Sequence, residues 1–224
     1  VLSFAFLRPP VGEQFFGGPY DDVARGSDVY LPIYSASEFC APCHRATFWG
    51  TVIYNPYGEW LDSSFSDPDQ GQTCQSCHMP NSVGLEHVAK FDRGAFRRDP
   101  DTISGHLMRD TTDLAFMQSA ATMNVSADLE NGQLTVAVTV TNDGTGHHFP
   151  SGGPSSNVIL VVSARDAEGS EMAQISGPTV PDWGGLGDGS QTDFAGRPGT
   201  GYARILREDW TNIAPSVSYW NPTR

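Results

Sequence analysis

Two five-residue motifs constrain this chain more than anything else in it: Cys40-Ala41-Pro42-Cys43-His44 and Cys74-Gln75-Ser76-Cys77-His78. C-x-x-C-H is the pattern through which a c-type haem is attached to protein. Two Cys three positions apart fall on about one helical turn, where both sulfurs can meet the two vinyl groups of one porphyrin. The His that follows points its imidazole at the iron from the same side. The chain has 4 cysteines, and all of them lie in these motifs. Zinc is a poorer account, because paired Cys ligands usually sit roughly 15–20 residues apart and need no His after each pair. Two disulfides leave His44 and His78 equally unexplained, and a thioredoxin-like pair would need a βαβ context. The expectation is two covalently bound haem c groups, attached at Cys40 and Cys43 and at Cys74 and Cys77, with His44 and His78 on the irons.

Each iron then needs a ligand on its other face, or an open site. His87, His106, His147 and His148 are the remaining histidines. His106 follows Gly105, which lets a flat ring approach the backbone closely. His147 sits in the Gly- and Pro-rich stretch Thr145-Gly146-His147-His148-Phe149-Pro150-Ser151-Gly152. Met79 adjoins His78 and is on the wrong side of its own haem. Met108, Met117 and Met123 are alternatives, but Leu114, Met117 and Ala121 have the spacing of a helical core face. With spare His present, bis-His ligation is favoured over Met, which would raise the reduction potential. His106 and His147 are the preferred sixth ligands, with His87 and His148 as reserves.

The residues around the motifs predict an α+β fold. Residues 1–34 are irregular and aromatic, with Phe15, Phe16, Tyr20, Tyr30 and Tyr34 suited to haem edges or to ordinary packing. Ser35-x-x-Glu38 predicts a capping box opening a helix for the first motif. Asp69-Gln70-Gly71 predicts the turn that delivers the second. Asp113 to Ala121 is the best helix. From about Asn124 the pattern changes: Asn131-Gly132 is a hairpin turn between Val125–Glu130 and Gln133–Thr141. Leu134, Val136, Val138 and Val140 alternate with polar residues at the strand period. Val158 to Val162 reads as a buried strand, which Glu168-Gly169 turns toward Glu171–Ile175. The organisation expected is an irregular, short-helical dihaem module over residues 1–123, then an antiparallel β-sandwich-like domain over residues 124–224. Residues 181–201 read as a long surface loop. Its Asp182, Asp188 and Asp193 lack EF-hand spacing and read as solvated rather than calcium-binding.

The net charge is -13, and of the 13 Lys and Arg only Lys90 is a lysine. Such a surface repels nucleic acid and anionic membranes. No stretch reaches the ~18 consecutive apolar residues of a membrane-spanning helix. The chain starts at Val1, and its opening residues lack the basic start of a signal peptide. A mature or trimmed product is therefore expected.

The run Ser37-Glu38-Phe39-Cys40-Ala41-Pro42-Cys43-His44, then Tyr57-Gly58-Glu59-Trp60, then Gly71-Gln72-Thr73-Cys74-Gln75-Ser76-Cys77-His78-Met79-Pro80 resembles bacterial multihaem cytochromes c. The likeness runs over roughly residues 35 to 224. It implies a distal His at His106, then a β-rich region with a Gly-His-x-Phe-Pro-Ser-Gly loop at Gly146 to Gly152, where the family's His aligns with His147. Many relatives carry further haems and further His upstream of the first motif, where this chain has none. They also tend to continue beyond a segment like Tyr219 to Arg224.

The function expected is electron transfer between redox proteins or other cytochromes. Because haem is attached to this motif outside the bacterial cytoplasm, the resemblance implies a periplasmic or extracellular protein. It also admits a homo-oligomer or conductive filament in which one chain donates a ligand to its neighbour. The rival reading is a haem enzyme, or the electron-input part of one, with an open iron and Arg93, Arg97, Arg98 and His87 as polar donors.

Overall fold

The computed structural model describes residues 16–22, 28–81, 84–185, 192–216, 218 and 220–224. In chain order the strands are β1 (Phe16–Gly18), β2 (Asp28–Tyr30), β3 (Ala46–Phe48), β4 (Thr51–Tyr54), β5 (Thr122–Glu130), β6 (Gln133–Thr141), β7 (Asn157–Val161) and β8 (Gly199–Ala203). The α-helices are α1 (Pro56–Leu61), α2 (Cys74–His78) and α3 (Leu114–Gln118), joined by several 3-10 turns. The fold is α+β, as the pattern predicts. Its described strands pair two by two: β1 with β2 in parallel, and β3 with β4, β5 with β6 and β7 with β8 antiparallel.

The hairpin at Asn131-Gly132 forms as expected. Asn131 has φ 52° and Gly132 φ 80°, the pair of positive angles that a tight two-residue hairpin demands. The register runs from Glu130 opposite Gln133 to Thr122 opposite Thr141. Met123, Val125, Ala127 and Leu129 therefore face Val140, Val138, Val136 and Leu134 on one side of the ribbon. The strand expected over Val158 to Val162 is β7, paired with β8.

Four local expectations are corrected. Ser35 does not cap a helix. Pro32 starts a 3-10 turn ending at Ser35, and Ala36 precedes the next turn, Ser37–Phe39, without a side-chain cap. The helix expected over Asp113 to Ala121 is only five residues long, and Leu114 on it is 71% exposed rather than core. Beyond the Glu168-Gly169 turn, the strand expected over Glu171–Ile175 is reduced to a single bridge between Arg165 and Glu171. The long loop expected over 181–201 is interrupted by a 3-10 turn, Asp182–Gly184, and ends in β8. Phe15, Asp188 and Tyr219 lie outside the described residues.

The chain divides into two compact units, the described parts of 2–45 with 56–149, and of 46–55 with 150–224. The second has a small apolar centre of Ala46, Ile53 and Leu206 with Phe48 and Tyr54 against it, and Val180 is fully buried. The first, which holds both Cys motifs, is built differently. Among its described residues the buried hydrophobics are Ile103 and Ala120, alongside the buried polar side chains Ser37 and Gln75. A unit of that length ordinarily closes around a substantial apolar core. Here the described side chains alone do not supply one.

Candidate haem-attachment site

The first motif follows the Ser37–Phe39 turn and closes one turn of its own, with Cys43 N and His44 N both donating to Cys40 O at 3.2 and 2.9 Å. Pro42 carries no N–H and helps keep this a single turn. The His44 carbonyl accepts from Tyr57 N at the head of α1 (3.2 Å). The second motif is helix α2 itself. Thr73 caps it by accepting from Ser76 N at 3.3 Å, satisfying one of the donors a helix start leaves orphaned. The turn before it is held by Asp67, whose Oδ1 accepts from Asp69 N and Gln70 N at 2.8 and 3.0 Å.

The two motifs are docked on each other. Ser37 Oγ accepts from Cys74 N at 3.0 Å. Gln75 Nε2 donates to Tyr34 O (3.0 Å) and Ala36 O (2.8 Å). The thiols of Cys40 and Cys74 share a hydrogen bond, which pushes the Cys40 thiol up. The same bond, helped by Ser37 and His78, draws Cys74 down to about 6. The lowered pKa favours the thiolate of Cys74, the form in which a cysteine reacts.

His78 Nδ1 lies 2.9 Å from the Arg109 carbonyl oxygen, and His147 Nδ1 lies 2.9 Å from the His148 carbonyl oxygen. A carbonyl only accepts, so each Nδ1 carries a proton, and in the neutral ring the lone pair is then on Nε2. Metal-bound histidines are oriented in this way. The two rings stand with centres 6.2 Å apart and planes 20° from parallel. Two imidazoles on opposite faces of one metal, each bonded at about 2 Å, bring their centres to about 6 Å. His44 joins the group: its pKa is lowered by burial first, then by His78 and His147. It is thereby kept in the neutral form a metal ligand needs.

The 142–149 loop is clamped to present His147. Its carbonyl accepts from Asn142 Nδ2 (2.8 Å) and Thr145 Oγ1 (2.7 Å). Glu59 on α1 accepts from His148 N at 3.1 Å through Oε2, and its Oε1 is 3.5 Å from His148 Nδ1. Gly146 sits against Phe65 and Trp60, where a Cβ would come within 2.9 Å of Phe65 Cβ.

The other candidates fall elsewhere. His106 is exposed, in a loop that returns along the second motif through Gly105 N to Pro80 O (2.8 Å) and Arg109 N to His78 O (2.9 Å). His87 packs edge-on to Phe91 at 5.6 Å. His148 is exposed beside Glu59. Met108 and Met123 are more than half exposed. Two of the arginines considered as distal donors are committed, Arg97 to Glu86 and Arg98 to Asp22 and over the Tyr20 ring. Among the described residues no group of three His, Cys, Asp or Glu makes a separate metal site. Ser37, Gln75 and Glu59 were not singled out from sequence. The visible signal was a large amide at a position inside C-x-x-C-H that needs none.

No family model and no curated protein matches the chain. Among solved structures it is similar to the crystal structure of a penta-haem cytochrome c552 from Thermochromatium tepidum, with TM-score 0.57 and 20% identity. The match covers 95% of this chain and 46% of that one. The fold is shared with a multihaem cytochrome c. The chain spans about half the length of that relative. Paired Cys on single turns, tied Nδ1 atoms, the His78–His147 spacing and an interior poor in apolar side chains all fit a porphyrin group. No described helix is long and apolar enough to cross a membrane.

Proposed function

We propose that this chain is an electron carrier with two c-type haems. One is attached at Cys40 and Cys43 with His44 as proximal ligand. The other is attached at Cys74 and Cys77, and His78 and His147 would hold its iron. The observation that carries this reading is the His78–His147 pair, both rings tied at Nδ1 and set 6.2 Å apart. A haem iron held by two imidazoles supplies one-electron ferric–ferrous exchange. The chain's own part is to aim the imidazoles, through the Arg109 and His148 carbonyls, and to hold the 142–149 loop in place through Glu59.

His106 is the other proposed sixth ligand, on the strength of the family resemblance, with His87 and His148 in reserve. A ligand donated by a second copy is the route by which chains would form a homo-oligomer or filament. The partners are redox proteins or other cytochromes, met in the periplasm or outside the cell. Purified protein should hold two haems per chain by pyridine haemochrome and show low-spin spectra in both oxidation states. High-spin iron at the second motif in the resting protein would overturn the reading.

One observation favours a second reading. His106 is exposed, so one haem can keep an open face. The chain would then be a haem enzyme or its electron-input part. Cyanide binding to one haem of the two in the resting protein distinguishes this from the carrier.

A further inference from the structure

We infer that Ser37 and Gln75 form a positioning clip that sets the mutual placement of the two attachment motifs, and with it the orientation of the two haems toward each other. The inference rests on the dihaem reading above and deepens it.

Three hydrogen bonds make the clip, and all three cross between the two motifs. Gln75 lies between the two cysteines of the second motif, yet it turns inward and is only 9% exposed. Both N–H groups of its amide are used, on the carbonyls of Tyr34 and Ala36 just ahead of the first motif. That double donation fixes which end of the amide is nitrogen. Its Oε1 is buried without a partner among the described residues. The amide is therefore held through its donors. Ser37, 1% exposed, accepts from Cys74 N, the first N–H of α2. That donor has no partner inside the helix. The first motif's approach thus caps the second motif's helix.

Removing one partner from a buried bond leaves the other unsatisfied, which costs more than the bond itself contributes. Without the clip, the carbonyls of Tyr34 and Ala36 and the amide of Cys74 must find other partners, and the two segments must shift to do so. The shift would reach both attachment motifs directly, because Ser37 is bonded to each: its Oγ accepts from Cys74 N at 3.0 Å and its carbonyl accepts from Cys40 N at 2.9 Å. Gln75 and Ser37 are neither attachment residues nor proposed iron ligands. They are positioning residues.

The test compares the loaded wild-type chain with Gln75→Leu and Ser37→Ala. Haem content by pyridine haemochrome and the low-spin absorption bands should stay as in wild type. The Soret circular-dichroism couplet, which reports the orientation of two haems to each other, should lose most of its amplitude in Gln75→Leu and part of it in Ser37→Ala. In Ser37→Ala the Cys74 amide should also lose hydrogen-exchange protection. An unchanged couplet in both loaded variants overturns the inference. If Gln75→Leu fails to take up haem, Ser37→Ala decides alone, since it deletes one oxygen. If that also fails, rapid exchange of the Cys74 amide in wild type overturns the clip and slow exchange supports it. A wild-type chain without haem would defeat the dihaem reading instead, while Cys74 amide protection would still report the clip.

Discussion

His78 and His147 stand 6.2 Å apart at their ring centres, nearly parallel, and each hands its Nδ1 proton to a main-chain carbonyl. They come from helix α2 and from the loop after β6, so the ring beside His78 is supplied by a distant segment. The His147→Ala chain should keep both haems, since the thioether bonds are untouched. One of the two should become high-spin and take up added imidazole or cyanide. His148→Ala should leave the second haem low-spin, because His148 contributes its main-chain carbonyl to His147. Optical and electron paramagnetic resonance spectra of the ferric proteins check both. Low-spin signals from both haems in His147→Ala would remove His147 from the site.

Glu59 is the support beneath that loop. Its carboxylate accepts from His148 N, faces the His148 ring, and has a side chain only 12% exposed. Glu59→Ala leaves the His148 amide without this acceptor. The expected loss of stability is about 1–3 kcal/mol, the usual effect of deleting a charged partner from a partly buried hydrogen bond. Glu59→Gln keeps an oxygen acceptor and should lose less. Thermal unfolding of the loaded proteins measures the order, and added imidazole should displace His147 at lower concentration in Glu59→Ala than in wild type.

The haem-free chain should show unequal cysteines. Cys74 is lowered to about 6 by its bond with Cys40, and Cys40 is raised by the same bond. A lowered thiol pKa means that thiolate is present above about 6 and is lost as the pH falls through that value. Alkylation follows the thiolate fraction. Iodoacetamide should therefore label Cys74 with a midpoint near pH 6, while Cys40 lags until alkaline pH. Cys40→Ala should move the Cys74 midpoint upward. Equal labelling of the two across this range would contradict the shared hydrogen bond.

What could be read from the residues was the chemistry that repeats or alternates. Two C-x-x-C-H motifs announce themselves by spacing, Asn131-Gly132 by its backbone demands, and β6 by its period. The Gly-His-x-Phe-Pro setting marks out His147, whose ring lies 6.2 Å from that of His78. The rest depends on contacts between distant segments, which no local pattern encodes. Nothing near Ser37 predicts that it accepts from Cys74 N, and nothing near Glu59 predicts His148. The helical core spacing of Leu114 misled for a physical reason. In the motif-bearing unit an apolar periodicity need not face other side chains, and Leu114 is exposed on a five-residue helix.

Gly146 fixes how closely the His147 loop can approach its support. A Cβ there would lie 2.9 Å from Phe65 Cβ and 3.0 Å from Trp60 Cδ1. Neither neighbour can yield easily. Trp60 Nε1 donates to Gln72 O at 2.8 Å, Phe65 N donates to Ser63 Oγ at 3.2 Å, and Phe65 O accepts from Gln72 N at 2.9 Å. The loop itself must then move outward and carry His147 with it. Gly146→Ala should destabilise by about 1–3 kcal/mol, the usual range for overpacking, and convert part of the second haem to the high-spin form. Gly153→Ala is the control, since nothing lies within 4 Å of the Cβ it would add. Thermal unfolding and ferric spectra of the two variants should separate them. A Gly146→Ala protein with wild-type spectra and midpoint would show that His147 is not held through this contact.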